Sequence, residues 1–173
     1  VSALVCRDEA ELRKQFVLIN NTRPLPKSLI YELLPTVSGL PGRLESRSLA
    51  AALTARLNYD ERSSLFGAIH QHTNPTGVIK DTAVQKVIMN SLSDGALREL
   101  LHVGSDEDAG FDLLSNFYAA VRDVFPDAWE GHKPKTSRLV HGAGVQAMGY
   151  VMELLFARHG ARSRDEFRSG LQP

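Results

Sequence analysis

Residues 20–27 read Asn-Asn-Thr-Arg-Pro-Leu-Pro-Lys, a polar turn set between two apolar segments. The amides of Asn20 and Asn21 and the hydroxyl of Thr22 can donate and accept hydrogen bonds. Arg23 offers a forked set of donors matched to phosphate or carboxylate oxygens. Lys27 adds a point charge in the segment that follows, and a helix starting there turns its positive end toward an anion. Such a set can hold phosphate oxygens or base edges. The same residue types also cap helix ends, with Arg23 then simply solvated, and composition alone does not choose between the two readings.

A second set is Ser137, Arg138 and His141, followed by Gly142-Ala143-Gly144. Small residues at a helix start let a ligand approach the backbone, and free amides there bind anions. The stretch lacks the Gly-Lys-Ser/Thr ending of a phosphate loop, and its glycines would equally serve close helix packing. A third set is His70-Gln71-His72. Two histidines at i, i+2 on a strand share a face and could ligate a metal, but a zinc site needs further ligands. His102, His132, His141 and His159 are scattered along the chain, so solvated histidines are expected and no metal site is assigned. Glu99, Asp106, Glu107 and Asp108 read as solvated helix-end charges, and Trp129 beside Phe125 as a core anchor. No nucleophile elbow, metalloprotease helix or paired-carboxylate glycosidase signature stands out. No catalytic residue is assigned.

The elements that must position these groups are mostly helical. Asp8 with Glu11 forms a capping-box pattern, and Leu12, Phe16 and Ile19 recur at helical spacing to about Asn20. Pro24 and Pro26 stop that helix. Pro26 suits the first turn of the next, whose apolar face is Leu29, Ile30, Leu33 and Leu34 and which ends at Pro35. Residues 36–43 read as a loop. Leu49, Leu53 and Leu57 stack at i, i+4 in a third helix. Two β-prone pieces flank Asn74-Pro75-Thr76-Gly77 and predict a small hairpin. Thr82 with Gln85 opens a helix carrying Val84, Val87, Ile88 and Leu92. A turn at 93–95 leads to another short helix. Phe111, Leu114, Tyr118, Val121 and Phe125 form the face of the next, followed by a loop over 126–135. The longest helical segment begins near Ser137, with Met148, Val151, Met152, Leu155 and Phe156 on its core side and Gly160 at its C-cap. Ser163 and Glu166 make a last capping box. The fold class expected is mainly α: a multi-helix domain with an N-terminal strand at "VSALVC" and one small hairpin.

The totals bound the rest. The chain has 173 residues, 43% of them apolar and 23% charged, as in an ordinary globular protein. Twenty basic residues balance twenty acidic ones, which argues against a generally basic nucleic-acid binder but not against a local patch. Cys6 is the one cysteine, so an intrachain disulfide is excluded and a reducing cytoplasm is the default. No apolar run approaches the ~18 residues of a membrane span, so no membrane partner is expected, and no signal peptide is recognisable. A first residue other than methionine, in a β-prone run with no cap before it, reads as part of a longer protein.

The blocks "QFVLINNTRPLPKSLIYELLP", "GVIKDTAVQKVIMNSLSDG", "VFPDAW" and "SRLVHGAGVQAMGYVMELL" occur in this order. Together they resemble the C-terminal part of the DGQHR-domain proteins, the DndB-like and DpdB-like bacterial proteins associated with DNA-modification gene clusters. The likeness spans roughly residues 8–158. The Asp-Gly-Gln-His-Arg motif that names the family is absent from this chain and in the family lies upstream, in a ParB-like α/β segment. The resemblance implies that residues 1–36 are the C-terminal remnant of such a unit and that 37–173 form an α-helical domain. It implies that Asn20, Thr22 and Arg23 are one half of a phosphate cradle whose other half is not in this chain.

Two functions are implied. One is a nucleotide-binding or nucleotide-hydrolysing helper of DNA base or backbone modification in the full-length protein. NTP with Mg would be its cofactor there, while this chain alone would be inactive. The other is a non-catalytic DNA-binding regulator of a DNA-modification cluster. It would draw on Arg43, Arg47, Arg56 and Arg62, or on Lys133, Lys135 and Arg138. The partners implied are DNA or a DNA-modifying enzyme. A helical interaction domain is the third reading.

Overall fold

The structure is a computed structural model and describes residues 6–20, 33–36, 42–102 and 108–172. The described residues are mainly helical, as the periodicity predicts. In chain order they form α1 (Glu9–Asn20), a 3-10 turn (Leu34–Thr36), α2 (Gly42–Tyr59), β1 (Ile69–His70), β2 (Ile79–Lys80), α3 (Asp81–Asp94), α4 (Ala96–His102), α5 (Ala109–Val124), α6 (Pro126–Trp129), α7 (Gly142–His159) and α8 (Arg164–Leu171). The strand expected at the N-terminus, most of the helix expected after Pro26 and the body of the loop before α2 lie outside the described residues. No helix among the described residues is long and apolar enough to cross a membrane.

Local signals placed several boundaries, at α1, α7 and α8. The Asp8 carboxylate accepts the Glu11 amide at 2.7 Å, and Glu11 reaches back to the Arg7 amide at 2.7 Å. At α8 the box is fully reciprocal: Ser163 accepts from the Glu166 amide while Glu166 accepts from the Ser163 amide. Gly160 ends α7 in the left-handed region at φ 64°, its amide bonded to the Phe156 carbonyl at 2.8 Å.

Other expectations are corrected. Helix α3 begins at Asp81 rather than after a Thr82 cap; Lys80 holds the cap position without a side-chain bond, and Gln85 is buried. Residues 126–129 form a helical turn, with Pro126 in its first turn. Helix α7 starts at Gly142, five residues later than the sequence suggests. Trp129 is buried as a core anchor, but Phe125 turns outward at the C-cap of α5. In α2 the buried side carries Ala50, Leu53, Thr54, Leu57 and Asn58, which leaves Leu49 exposed. In α1 Val17 is buried, whereas Leu12, Phe16 and Ile19 stay exposed.

The predicted hairpin is instead a parallel pair, Ile69 opposite Ile79 and His70 opposite Lys80. Side-chain amides hold this path, Asn58 buried and Asn74 half-buried. Asn58 of α2 accepts the Ile69 amide at 3.0 Å and donates to the Gln71 side chain at 2.9 Å. Asn74 donates to the carbonyls of Gly67 and Ile69 at 3.1 and 2.9 Å. The turn residues therefore fold back onto α2 instead of reversing the chain between two strands. Gly77 lies so close to the Ile69 and His70 backbone that a Cβ there would overlap it.

The core gathers α2, α3, α5 and α7 around Leu57, Ile69, Val84, Ile88, Phe117, Tyr118 and Met152. Helix α8 closes one side: Phe167 meets Phe117 edge to face, centroids 5.2 Å apart, and Arg164 grips Asp123 through two bonds of 2.6 Å. Helices α3 and α7 lie side by side. Gly142 faces Ala83, Gly149 faces Val87, and Tyr150 meets Asn90. These contacts rise together along both helices, so α3 and α7 run parallel and their N-termini sit at the same end.

Candidate anion-binding cleft

That shared end is open. A cleft of about 930 Å³ lies there. One wall is Lys80 of β2 with Thr82 and Lys86 of α3, and the other is Lys135, Ser137 and Arg138 from residues 130–141. His141 and the first turn of α7 form its floor.

Three features make the cleft electropositive. Two helices of 14 and 18 residues end there with the same polarity; the α7 N-terminus contributes about half a positive charge, while that of α3 is met by the Asp81 carboxylate on the Thr82 amide. The first-turn amides of α7 have no acceptor inside the helix. Lys80, Lys86, Lys135 and Arg138 surround them, and no acidic side chain lines the cleft. Among the described residues these four cations form no ion pair. Several arginines elsewhere are neutralised, as in Arg62–Asp60, Arg122–Glu130 and Arg164–Asp123.

The loop that carries Lys135 and Arg138 is tied down. Thr136 accepts the Lys133 amide at 3.0 Å and its own amide bonds the Lys133 carbonyl at 2.9 Å. The Ser137 amide reaches the same carbonyl at 3.0 Å, and the Ser137 hydroxyl accepts the Leu139 amide at 3.1 Å. The His132 ring lies 3.0 Å from the Thr136 hydroxyl and 2.9 Å from the Asp127 carbonyl. His141 caps α7: its Nδ1 accepts the Ala143 amide at 3.1 Å. The basic groups are thus presented by a fixed turn, which lowers the entropy lost on binding.

The structure therefore brings together Ser137, Arg138, His141 and Gly142 of the second predicted set, while Gly144 serves packing. A Cβ added at Gly142 would meet Ala83 at an ordinary 3.5 Å, and Gly144 sits beneath the Arg138 carbonyl. Sequence reading missed Lys80, Thr82 and Lys86, which lie about 50 residues before Arg138 in the chain. The signal available was their place: each of the two helix starts, at 81 and 142, has basic residues just before or inside it.

The first predicted set falls elsewhere. Asn21, Thr22, Arg23 and Lys27, with the side chain of Asn20, lie outside the described residues. So do Asp106, Glu107 and the side chains of Arg43 and His102. Arg56 and Arg62, expected on a DNA-facing surface, stack on the Phe111 ring at 4.3 and 5.3 Å and pair with Asp60 and Asp108. Asp108 is thus an ion-pair partner rather than a solvated charge, and its carboxyl is held below the usual range chiefly by the Arg56 hydrogen bond. Of the other basic trio, Lys135 and Arg138 line the cleft and Lys133 does not. His70 and His72 are exposed, and among the described residues no group of three His, Cys, Asp or Glu side chains could hold a metal.

No family model, no curated protein and no solved structure matches this chain.

Proposed function

We propose that the cleft binds phosphate groups and that the chain is a non-catalytic nucleic-acid-binding unit. DNA is the partner that suits the DGQHR-domain family it resembles, in a cytoplasmic protein tied to DNA modification. The observation that carries this reading is the set of four un-neutralised cations at two parallel helix N-termini. Cations and hydroxyls grip a phosphate backbone without reading bases. The lining offers no Phe, Tyr or Trp ring on which a base could stack and no carboxylate that could bring a magnesium ion to a triphosphate. The nucleotide-handling reading for the full-length protein rests on Asn20–Arg23 and on the resemblance.

The test is fluorescence anisotropy of a short labelled duplex across about 50–200 mM salt. Binding is expected at low salt, weakening with a log–log slope of roughly −3 to −4 if all four cations meet phosphates. The K86A/R138A double variant should flatten that slope by about 2. Absence of binding at low salt refutes the proposal. An unchanged slope in the double variant moves any binding to another surface.

A further inference from the structure

Resting on the phosphate-binding reading above, we infer that His141 is an exchangeable cap, so that filling the cleft with a phosphate takes up a proton. A neutral imidazole accepts at one nitrogen and donates at the other. Since Nδ1 accepts the Ala143 amide, the ring in this state carries its proton on Nε2.

The surroundings give the exchange its direction. Lys80 from β2, Lys86 from α3, and Lys135 and Arg138 from the preceding loop share the cleft with the ring. Asp81, the acidic residue opening α3, is buried and accepts the Thr82 amide at 2.6 Å. Helix α5 reaches α7 through the uncharged Tyr118 hydroxyl on the Val145 carbonyl. Helices α4 and α8 meet α7 farther along, at Glu153 and Leu155. In the empty cleft, a proton on Nδ1 breaks the cap and adds one more positive charge to four. A phosphate oxygen reverses both effects. It accepts the Ala143 amide in place of the ring, and the released imidazole takes one proton from solvent and donates it toward the phosphate. One N–H bond forms at Nδ1 with a proton from solvent, and one anion and one proton enter together.

The experiment is calorimetry of the same duplex, between about pH 6 and pH 8, in buffers of different ionisation enthalpy. Net proton uptake on binding is expected, with affinity rising as pH falls, by at most about tenfold per pH unit. H141N keeps an oxygen acceptor for the cap but does not titrate, so its uptake should vanish. Equal uptake in H141N and wild type overturns the exchange while leaving phosphate binding intact. No binding by wild type at low salt at either pH overturns both. Ring nitrogen-15 shifts of wild-type His141 read the exchange without any substitution. Nδ1 should pass from acceptor to protonated when duplex is added at about pH 6, and an unchanged Nδ1 in saturated complex overturns the inference.

Discussion

The carbonyl of Arg138 lies against the Cα of Gly144, so close that a Cβ on Gly144 would overlap its oxygen. This contact folds residues 138–141 back over the first turn of α7 and fixes where Arg138 emerges into the cleft. Alanine inside a helix ordinarily stabilises over glycine by about 0.5–1 kcal/mol. Here the obstruction is backbone and cannot swing away. G144A is expected to destabilise by about 1–3 kcal/mol and to weaken duplex binding. G142A meets Ala83 at an ordinary 3.5 Å and should be neutral or slightly stabilising. Urea denaturation of the two variants checks the contrast; equal effects would contradict it.

The parallel α3–α7 pair depends on a second close approach. A Cβ on Gly149 would stand 2.7 and 2.8 Å from the two methyls of Val87, and a β-branched side chain in a helix has little rotamer freedom with which to yield. G149A should cost about 1–3 kcal/mol. V87A should restore part of that loss, giving a coupling in the double-mutant cycle. Strictly additive losses would mean that the seam does not set the helix spacing.

Asn58 is fully buried and holds the β1 region through its own side chain. N58A leaves the Ile69 amide and the Gln71 side-chain Oε1 without this partner, at about 1–3 kcal/mol for each group left unpaired. The expected result is a lower thermal midpoint and faster amide exchange at Ile69. Unchanged protection of Ile69 would show that the loop does not depend on Asn58.

Acid should loosen α8 first through Glu166. Its carboxyl accepts the Arg162 and Ser163 amides and the Ser163 hydroxyl, which hold it near 2 instead of its ordinary 4.5. A group whose folded value is lowered adds stability above its unfolded value and loses it as pH falls toward the folded one. The melting-temperature advantage of wild type over E166Q should therefore be full above about pH 5 and shrink from 4.5 toward 2. Thermal melts from neutral pH downward check this, and a gap that does not narrow would contradict it.

The sequence by itself determined what is local. The caps at Asp8–Glu11, Gly160 and Ser163–Glu166, the helical face from Phe111 to Val121, and the mainly α class all follow from residues within a turn or two of one another. Such interactions act wherever the chain is helical. Tertiary structure decided the rest. The buried amide of Asn58 and the half-buried one of Asn74 hold the expected hairpin as a parallel pair. The glycine seam set α3 and α7 side by side and pointing the same way. That alignment, not any motif, brings Lys80 and Lys86 to the cleft that Arg138 lines, while Gly144 admits the close approach of the Arg138 carbonyl. Charges far apart in the chain interact only once packing sets their distance, so the cleft belongs to the fold rather than to any one stretch of sequence.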